Sequence, residues 1–270
     1  MALLKDITLG KYVQVESPIH RLDPRTKFAA TLVLMGASLS SRGFAVLCFS
    51  AVFLIGVIAL SRLPSGLVLN NLRAFVWLFF FTFTLHALLT PGPALWRLPY
   101  LDLAISQAGL HQGLFFTGRL ATVVITASLL TLTTSPMDLT NGIERLLAPL
   151  QRFGFPAHEM AMMVSISLRF IPVLLEEADR LRRAQLARGA DFSGNILRRV
   201  RNLIPLLVPL FLSAFARADR LALAMESRCY RGGEGRTCYQ PLKFGRQDFS
   251  AAFVLGAFVL GVIGLPRIAF

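Results

Sequence analysis

Two arginines, Arg188 and Arg228, lie forty residues apart in the same short sequence pattern. Each is flanked by small residues, so the two arginine motifs read Ala187, Arg188, Gly189 and Ser227, Arg228, Cys229. A guanidinium group stays charged and presents a planar fork of donors that matches a carboxylate. The motifs therefore predict two docking points for acidic grooves on a partner. A purely structural role is the alternative, because the helix dipole favours a cation at a helix C-terminus.

The residues before the two motifs also repeat. Ala-Asp-Arg-Leu occurs at 178–181 and again at 218–221, and an alanine follows in both copies, at Ala184 and Ala224. Two copies are too few for a solenoid, which needs at least three repeats. Each copy lies at the end of a long helical pattern, so the repeat indicates two helices that end in paired, equivalent arginine motifs.

No set of residues has catalytic or metal-binding spacing. The chain lacks the Gly-rich loop with Lys-Ser/Thr that cradles ATP phosphates. Its four histidines are scattered, at His20, His86, His111 and His158. Its three cysteines are predicted to be free thiols, at Cys48, Cys229 and Cys238. The chain is therefore expected to be no enzyme and to hold no metal or cofactor.

Composition indicates an integral membrane protein. Of 270 residues, 54% are hydrophobic and only 16% are charged, against roughly 25% charged in a soluble domain. In a soluble protein the net charge of +13 would indicate a nucleic-acid partner. Here it fits the excess of Lys and Arg in cytoplasmic segments of membrane proteins, so no nucleic-acid partner is expected.

Five apolar runs are predicted to cross the membrane, at about 28–40, 44–61, 74–90, 108–134 and 249–265. The first is shorter than a span of about 20 residues. It is expected to begin inside the basic cluster of Arg21, Arg25 and Lys27. The one-sided distribution of Lys and Arg places the N-terminus in the cytoplasm and the C-terminus outside. Arg119, in the fourth run, is expected to snorkel or to bond another helix, and a direct role in transport is the alternative.

Residues 135–248 are predicted to form a cytoplasmic segment of three helices, at about 136–152, 156–188 and 195–228. Prolines inside the two longer helices should kink them, at Pro172, Pro205 and Pro209. Such kinks favour a course along the membrane surface over a span. The fold class is thus all-α: a polytopic membrane protein with about five transmembrane helices plus long amphipathic cytoplasmic helices. The predicted domains are 1–134, 135–248 and 249–270.

The second of these cytoplasmic helices carries acids four residues before bases. Glu176 precedes Arg180 and Asp179 precedes Arg183, which predicts two intrahelical ion pairs. Gly189 is expected to stop the same helix.

Several segments in combination resemble one known family, the transmembrane T component of energy-coupling factor (ECF) transporters. The matching segments are Ser17–Lys27, Thr133–Pro136, Arg169–Pro172, and Ala184-Gln185 before the first arginine motif. The match covers nearly the whole chain. The resemblance implies a multi-pass protein of a bacterial or archaeal cell (inner) membrane, in which the long cytoplasmic helices are coupling helices.

In that family, two short motifs end the coupling helices and insert into grooves on two ABC-type ATPase subunits. The resemblance therefore implies ATPase coupling for both arginine motifs. The first motif is intact, whereas Ser227 and Cys229 replace the usual alanine and glycine in the second. Cys229 places a side chain where close approach is expected. A separate substrate-binding membrane protein, the S component, is implied to pack against the apolar faces of the chain in the lipid bilayer.

The implied function is a non-catalytic subunit that passes ATP-driven motion to the S component for vitamin or micronutrient uptake. A T component of a cobalt or nickel importer is the alternative within the family. A self-contained carrier would need polar residues along its spans, and a membrane enzyme would need a convergent set of His, Asp, Glu or Cys. The sequence disfavours both.

Overall fold

The computed structural model describes residues 12–40, 43–97, 104–190, 196–232 and 244–265. The predicted free thiol of Cys238 and the predicted external end of the chain at Phe270 lie outside these ranges. Cys48 and Cys229 lie within them; both are free, as predicted, and both are exposed.

Helices make up most of the described chain. Their bounds are Pro24–Ser40 (α1), Phe44–Ser61 (α2), Ser65–Ala74 (α3), Val76–Leu89 (α4), Gln107–Thr133 (α5), Pro136–Leu147 (α6), Ala157–Ala187 (α7), Ile196–Glu226 (α8) and Arg246–Gly264 (α9). A 3-10 helix, Ala148–Phe153, follows α6. Two short antiparallel strands, Ala94–Arg97 (β1) and Ala104–Ser106 (β2), lie between α4 and α5. The prediction of an all-α polytopic fold is confirmed.

Within the described ranges, four helices are long and apolar enough to cross a bilayer, namely α2, α5, α7 and α9. The helices α3 and α4 meet at a bend of 55° and make a fifth candidate if they form one span. With this pair, the number of candidate spans agrees with the five predicted, but the helices among them are not the same ones. With 17 residues, α1 is about 26 Å long and falls short of the ~30 Å hydrocarbon core. It does begin at Pro24, inside the basic cluster, as predicted.

Helix α7 enters the set of candidate spans although its sequence predicts a cytoplasmic position. Its first half is apolar apart from a few residues such as Arg169, and its second half carries both acids and arginines. Charges of this density are costly in hydrocarbon unless they are paired or face a cavity. The position of α7 outside the bilayer stays a prediction.

The chain folds into two compact units. The first, termed the membrane unit, consists of Gly10–Gly142 and Pro241–Phe270. The second, termed the helix-pair unit, consists in the main of Ile143–Gln240 and contains α7 and α8.

Helix α5 is the centre of the membrane unit and packs against α1, α2, α3 and α4. The best-buried cluster contains two leucines of α5 and three residues from α2 to α3: Leu129, Leu132, Leu54, Leu63 and Val68. Glycine brings α5 close to α4, since a Cβ added at Gly109 would lie 2.8 Å from the Ala87 carbonyl oxygen. Small residues at such contacts are the usual means of close helix packing in membranes.

Candidate functional site

Helix α7 ends in a left-handed stop at the first arginine motif. The Ala190 N–H donates to the Gln185 carbonyl and the Gly189 N–H donates to the Leu186 carbonyl, each over 3.0 Å. Gly189 has a φ of 84°, a conformation that glycine adopts without steric cost. The prediction that Gly189 stops this helix is confirmed.

Helix α8 ends in the same way at the second motif. The Tyr230 N–H donates to the Met225 carbonyl over 3.0 Å, and the Cys229 N–H donates to the Glu226 carbonyl over 2.9 Å. These bonds are the bonds at the end of α7 shifted by forty residues. The sequence repeat is therefore also a repeat of backbone structure, with Arg188 and Arg228 at equivalent positions.

Both arginines are exposed, as are Ala187 and Ser227 beside them. In the part of the chain that the structure describes, neither guanidinium group makes an ion pair or a hydrogen bond. A purely structural cap would instead bond the last carbonyls of its own helix. Both motifs thus present a charged, multidentate donor at a helix end.

Cys229 stands in the left-handed region, with a φ of 58°. The sequence already marks Cys229 as a side chain at a position of close approach. The structure adds a backbone cost, because a residue with a Cβ pays about 1–2 kcal/mol in this conformation. The second helix end therefore has the same hydrogen-bond pattern as the first but a more strained backbone.

Cys229→Gly is expected to raise the free energy of unfolding by about 1 kcal/mol, because glycine relieves the left-handed strain. Thermal unfolding of the purified protein in detergent checks this. Ser227→Gly is the matched control, since Ser227 is not among the residues with positive φ. An equal melting temperature for Cys229→Gly and the parent protein would show that the cysteine is not strained.

The helices α7 and α8 contact each other around one ion-pair cluster. Glu177 Oε2 lies 3.8 Å from Arg217 Nη2 of α8 and 3.6 Å from Arg180 Nη1 of α7. Glu177 and Arg217 are themselves forty residues apart, and each precedes the arginine of its motif by eleven residues. Eleven helical residues span about 16 Å. The two arginine motifs therefore lie at equal distances along their helices from a shared contact.

The intrahelical ion pairs of α7 agree with the sequence in one case of two. Asp179 and Arg183 form the predicted pair, over 3.2 Å. The predicted pair of Glu176 with Arg180 is wrong, because Arg180 turns to Glu177, which lies on the face toward α8. Exposed pairs of this kind contribute about 0.3–0.5 kcal/mol each.

A second polar site lies in the membrane unit, where α9 begins. Asp248 is buried, and its carboxylate accepts the Asp23 N–H at Oδ1 over 2.8 Å and the Gly245 N–H at Oδ2 over 2.7 Å. Asp23 immediately precedes α1 and Gly245 immediately precedes α9. One carboxylate thus joins the starts of two helices through a bond between residues that are 225 positions apart in the chain.

Lys27 extends this site to the end of α5. Its buried ammonium group donates to the His20 carbonyl over 2.9 Å and to the Thr133 carbonyl over 3.0 Å. We term Asp23, Lys27, Thr133 and Asp248 the polar junction. It holds the starts of α1 and α9 and the end of α5 at one end of the membrane unit.

His20 and Ser17 order the chain leading into the junction. Ser17 Oγ lies 2.6 Å from His20 Nδ1 and also accepts the His20 N–H over 3.3 Å. Burial, with the nearby charge of Lys27, lowers the pKa of His20 below its ordinary value. The imidazole is therefore neutral at pH 7. The Ser17–Lys27 segment that supports the family resemblance forms part of a helix-joining structure.

Sequence reasoning missed most of the junction. It used Lys27 as a cytoplasmic charge and as part of the Ser17–Lys27 segment, without a structural role, and it did not single out Asp248. An available signal was the acid at the third position of α9, a spacing that favours N-terminal capping. The bond to Asp23 has no local signal, because its partners are far apart in the chain.

One family and several known proteins are similar to this chain. Residues 15–239 match the CbiQ family, described as cobalt transport protein. The chain is 48% identical over 268 residues to the energy-coupling factor transporter transmembrane protein EcfT of Thermanaerovibrio acidaminovorans, covering 99% of both proteins. It is 49% identical over 262 residues to EcfT of Heliobacterium modesticaldum, covering 96% of this chain and 97% of that protein. With EcfT of Bacillus subtilis the identity is 43% over 250 residues, covering 92% and 94%.

Proposed function

The chain belongs to the CbiQ family of energy-coupling factor transporter transmembrane components, and on that basis we propose that it is the coupling subunit of an ECF-type importer. It passes ATP-driven motion of two ATPase subunits to a substrate-binding S component. The chain is a multi-pass membrane protein and does no chemistry itself in this scheme. ATP hydrolysis belongs to the partner ATPases.

The observation that carries the proposal is the pair of equivalent arginine motifs. Arg188 and Arg228 are exposed cations on two helix ends with equivalent backbone hydrogen bonds, forty residues apart. Two equivalent arginine motifs suit two partner subunits of the same kind, here two ATPases. Arginine suits a carboxylate-lined groove because its planar fork donates two parallel hydrogen bonds.

The contact between α7 and α8 supplies a way to transmit motion. In this proposal, a displacement of one helix end reaches the other helix through the Glu177–Arg217 contact, from which both motifs lie equally far along their helices. Small residues at the contact, including Ala214 and Ala218, line an open cavity of about 260 Å³ there. An incompletely filled contact costs less to rearrange than a close-packed one.

An exposed apolar face on α8 supports docking of the S component. It includes large side chains from the middle of the helix: Leu203, Leu207, Val208, Phe211, Leu212 and Phe215. Exposed apolar surface of this extent marks contact with lipid or with another protein. For the substrate, we propose a vitamin or another micronutrient. A cobalt or nickel ion is the second candidate, and the CbiQ description names cobalt.

Purification from native membranes tests the function. The tagged chain is expected to bring two ATPase subunits and a small membrane protein with it, identified by mass spectrometry. Substrate bound to the co-purified membrane protein then decides between an organic micronutrient and a metal ion. A chain that purifies alone and transports substrate in vesicles without ATPases would overturn the proposal.

Reporter fusions are expected to place Gly154 and Ala190, which flank α7, both in the cytoplasm. The reasons are the charged second half of α7 and the position of the arginine motif at its end. A fusion after residue 237 is also expected on the cytoplasmic side, and one at residue 270 on the outer side, because α9 lies between them. Reporters at Gly154 and Ala190 on opposite sides would make α7 a membrane span and remove its coupling role.

A further inference from the structure

An apolar cavity of about 310 Å³ lies in the membrane unit between α1, α2, α5 and α9. Its wall is almost entirely aliphatic and aromatic, with side chains from all four helices: Leu34, Phe53, Val57, Leu129 and Val254. It is open on one side, and it has the size of a site for a small apolar molecule. Lys27 and Thr133 of the polar junction also line it.

A polar cavity of about 220 Å³ adjoins the apolar one and shares Pro18 and Gln247 with it. Two arginines line this polar cavity, Arg21 before α1 and Arg62 after α2, together with one acid, Glu16. Arg21 lies 3.4 Å from Glu16 in an exposed ion pair. The polar cavity therefore carries one excess positive charge.

The position of the two cavities matches the boundary of a bilayer. The polar cavity is lined by the segment before α1, the end of α2 and the first turn of α9, all at the end of the membrane unit that carries the polar junction. The apolar cavity extends from there along α1, α2, α5 and α9. Three of these helices, α2, α5 and α9, are candidate spans that end or begin at this boundary.

We propose that the two cavities form one binding site for an anionic phospholipid of the bilayer. An acyl chain occupies the apolar cavity, and the phosphate and its headgroup lie against Arg21 and Arg62. A free anion would leave the apolar cavity unused, and a neutral lipid would leave the excess positive charge unmatched. Basic pockets between transmembrane helices are the usual sites for anionic headgroups.

Native mass spectrometry of the full-length protein tests this, both alone and with its co-purifying partners. The probes are phosphatidylglycerol and phosphatidylcholine with the same acyl chains, added in equal amounts. The parent protein is expected to prefer phosphatidylglycerol. The combined Arg21→Gln and Arg62→Asn variant should lose about thirtyfold in affinity for it, since each basic residue near an anionic lipid contributes about fivefold.

The choice of variants keeps the fold intact. Arg62 has a φ of 52°, and asparagine tolerates that left-handed conformation. Arg73→Gln is the matched control, because Arg73 is an exposed arginine at a helix end and lines neither cavity. Ala251→Leu narrows the apolar cavity and should weaken binding of both lipids equally. The melting temperature of each variant in detergent checks its fold.

Four results would overturn the proposal. They are no preference for phosphatidylglycerol in the parent protein, an unchanged preference in the double arginine variant, an equal loss in Arg73→Gln, and unchanged binding in Ala251→Leu. Exclusion of lipid from the intact complex would also overturn it, since the cavity would then belong to a helix of a partner.

Discussion

Replacing both Arg188 and Arg228 with alanine is expected to abolish ATPase association and ATP-driven uptake while the chain stays folded in the membrane. Both side chains are exposed at helix ends, and neither contacts the core. Removing one such anchor from a buried interface typically costs about 2 kcal/mol or more. Because each such loss is about a thirtyfold change in affinity, the double variant should fall below detectable association.

The single variants compare how much each arginine motif contributes to coupling. Arg188→Ala should impair coupling at least as much as Arg228→Ala, because its stop has glycine in the left-handed position and the second has the strained Cys229. Arg188→Lys should recover only part of the loss, since an ammonium group lacks the planar fork. The measurements are co-purification of the ATPases and uptake into vesicles.

An exposed arginine one turn and a half earlier on the same helix, Arg182, supplies the control. Arg182→Ala should leave both association and uptake unchanged. Normal ATPase binding and uptake in the double variant of Arg188 and Arg228 would contradict the docking role and leave only an interaction with the helix dipole.

The arginine motifs were predictable because their signal is local. Small residues, an arginine and a helix-ending glycine follow one another directly, and the repeat at a fixed offset doubles that signal. The same local reasoning identified the stop at Gly189. It did not reveal the backbone strain at Cys229, because a left-handed cysteine has no sequence signature.

Contacts between distant residues were the part that sequence reasoning could not supply. The preference of Arg180 for Glu177 over Glu176 follows from the side of α7 that faces α8 and Arg217. Likewise, no proline in the sequence indicates the bend of 55° between α3 and α4. In both cases tertiary packing decides between local alternatives of nearly equal energy.

The set of spans shows the limit of hydropathy. Hydropathy predicts a span from the apolar run in α1, but the helix has only 17 residues and begins in the polar junction. Helix α7 has the length and composition of a span, yet its charged second half ends in an arginine motif. Length and composition constrain which helices can cross, whereas charge placement and partners decide which of them do.

Asp248→Ala is expected to lower the free energy of unfolding by about 3 kcal/mol. The buried carboxylate accepts two backbone N–H groups, from Asp23 and Gly245. A hydrogen bond to a charged group contributes about 1.5–3 kcal/mol, and each buried donor left without a partner adds a penalty. The charge of Lys27, which Asp248 helps to balance, would also lose part of its compensation.

Thermal unfolding in detergent, followed by the loss of monodisperse protein, measures the effect of Asp248→Ala. Asp248→Asn should lower the melting temperature less than Asp248→Ala does, but still measurably. The amide keeps one acceptor oxygen and turns its NH₂ toward the other N–H. Asp219→Ala is the matched control, an exposed acid on α8. If Asp248→Ala melts at the same temperature as Asp219→Ala, the polar junction does not hold α1 to α9. A large fall confined to Asp248 would show that this single carboxylate holds the starts of α1 and α9 together.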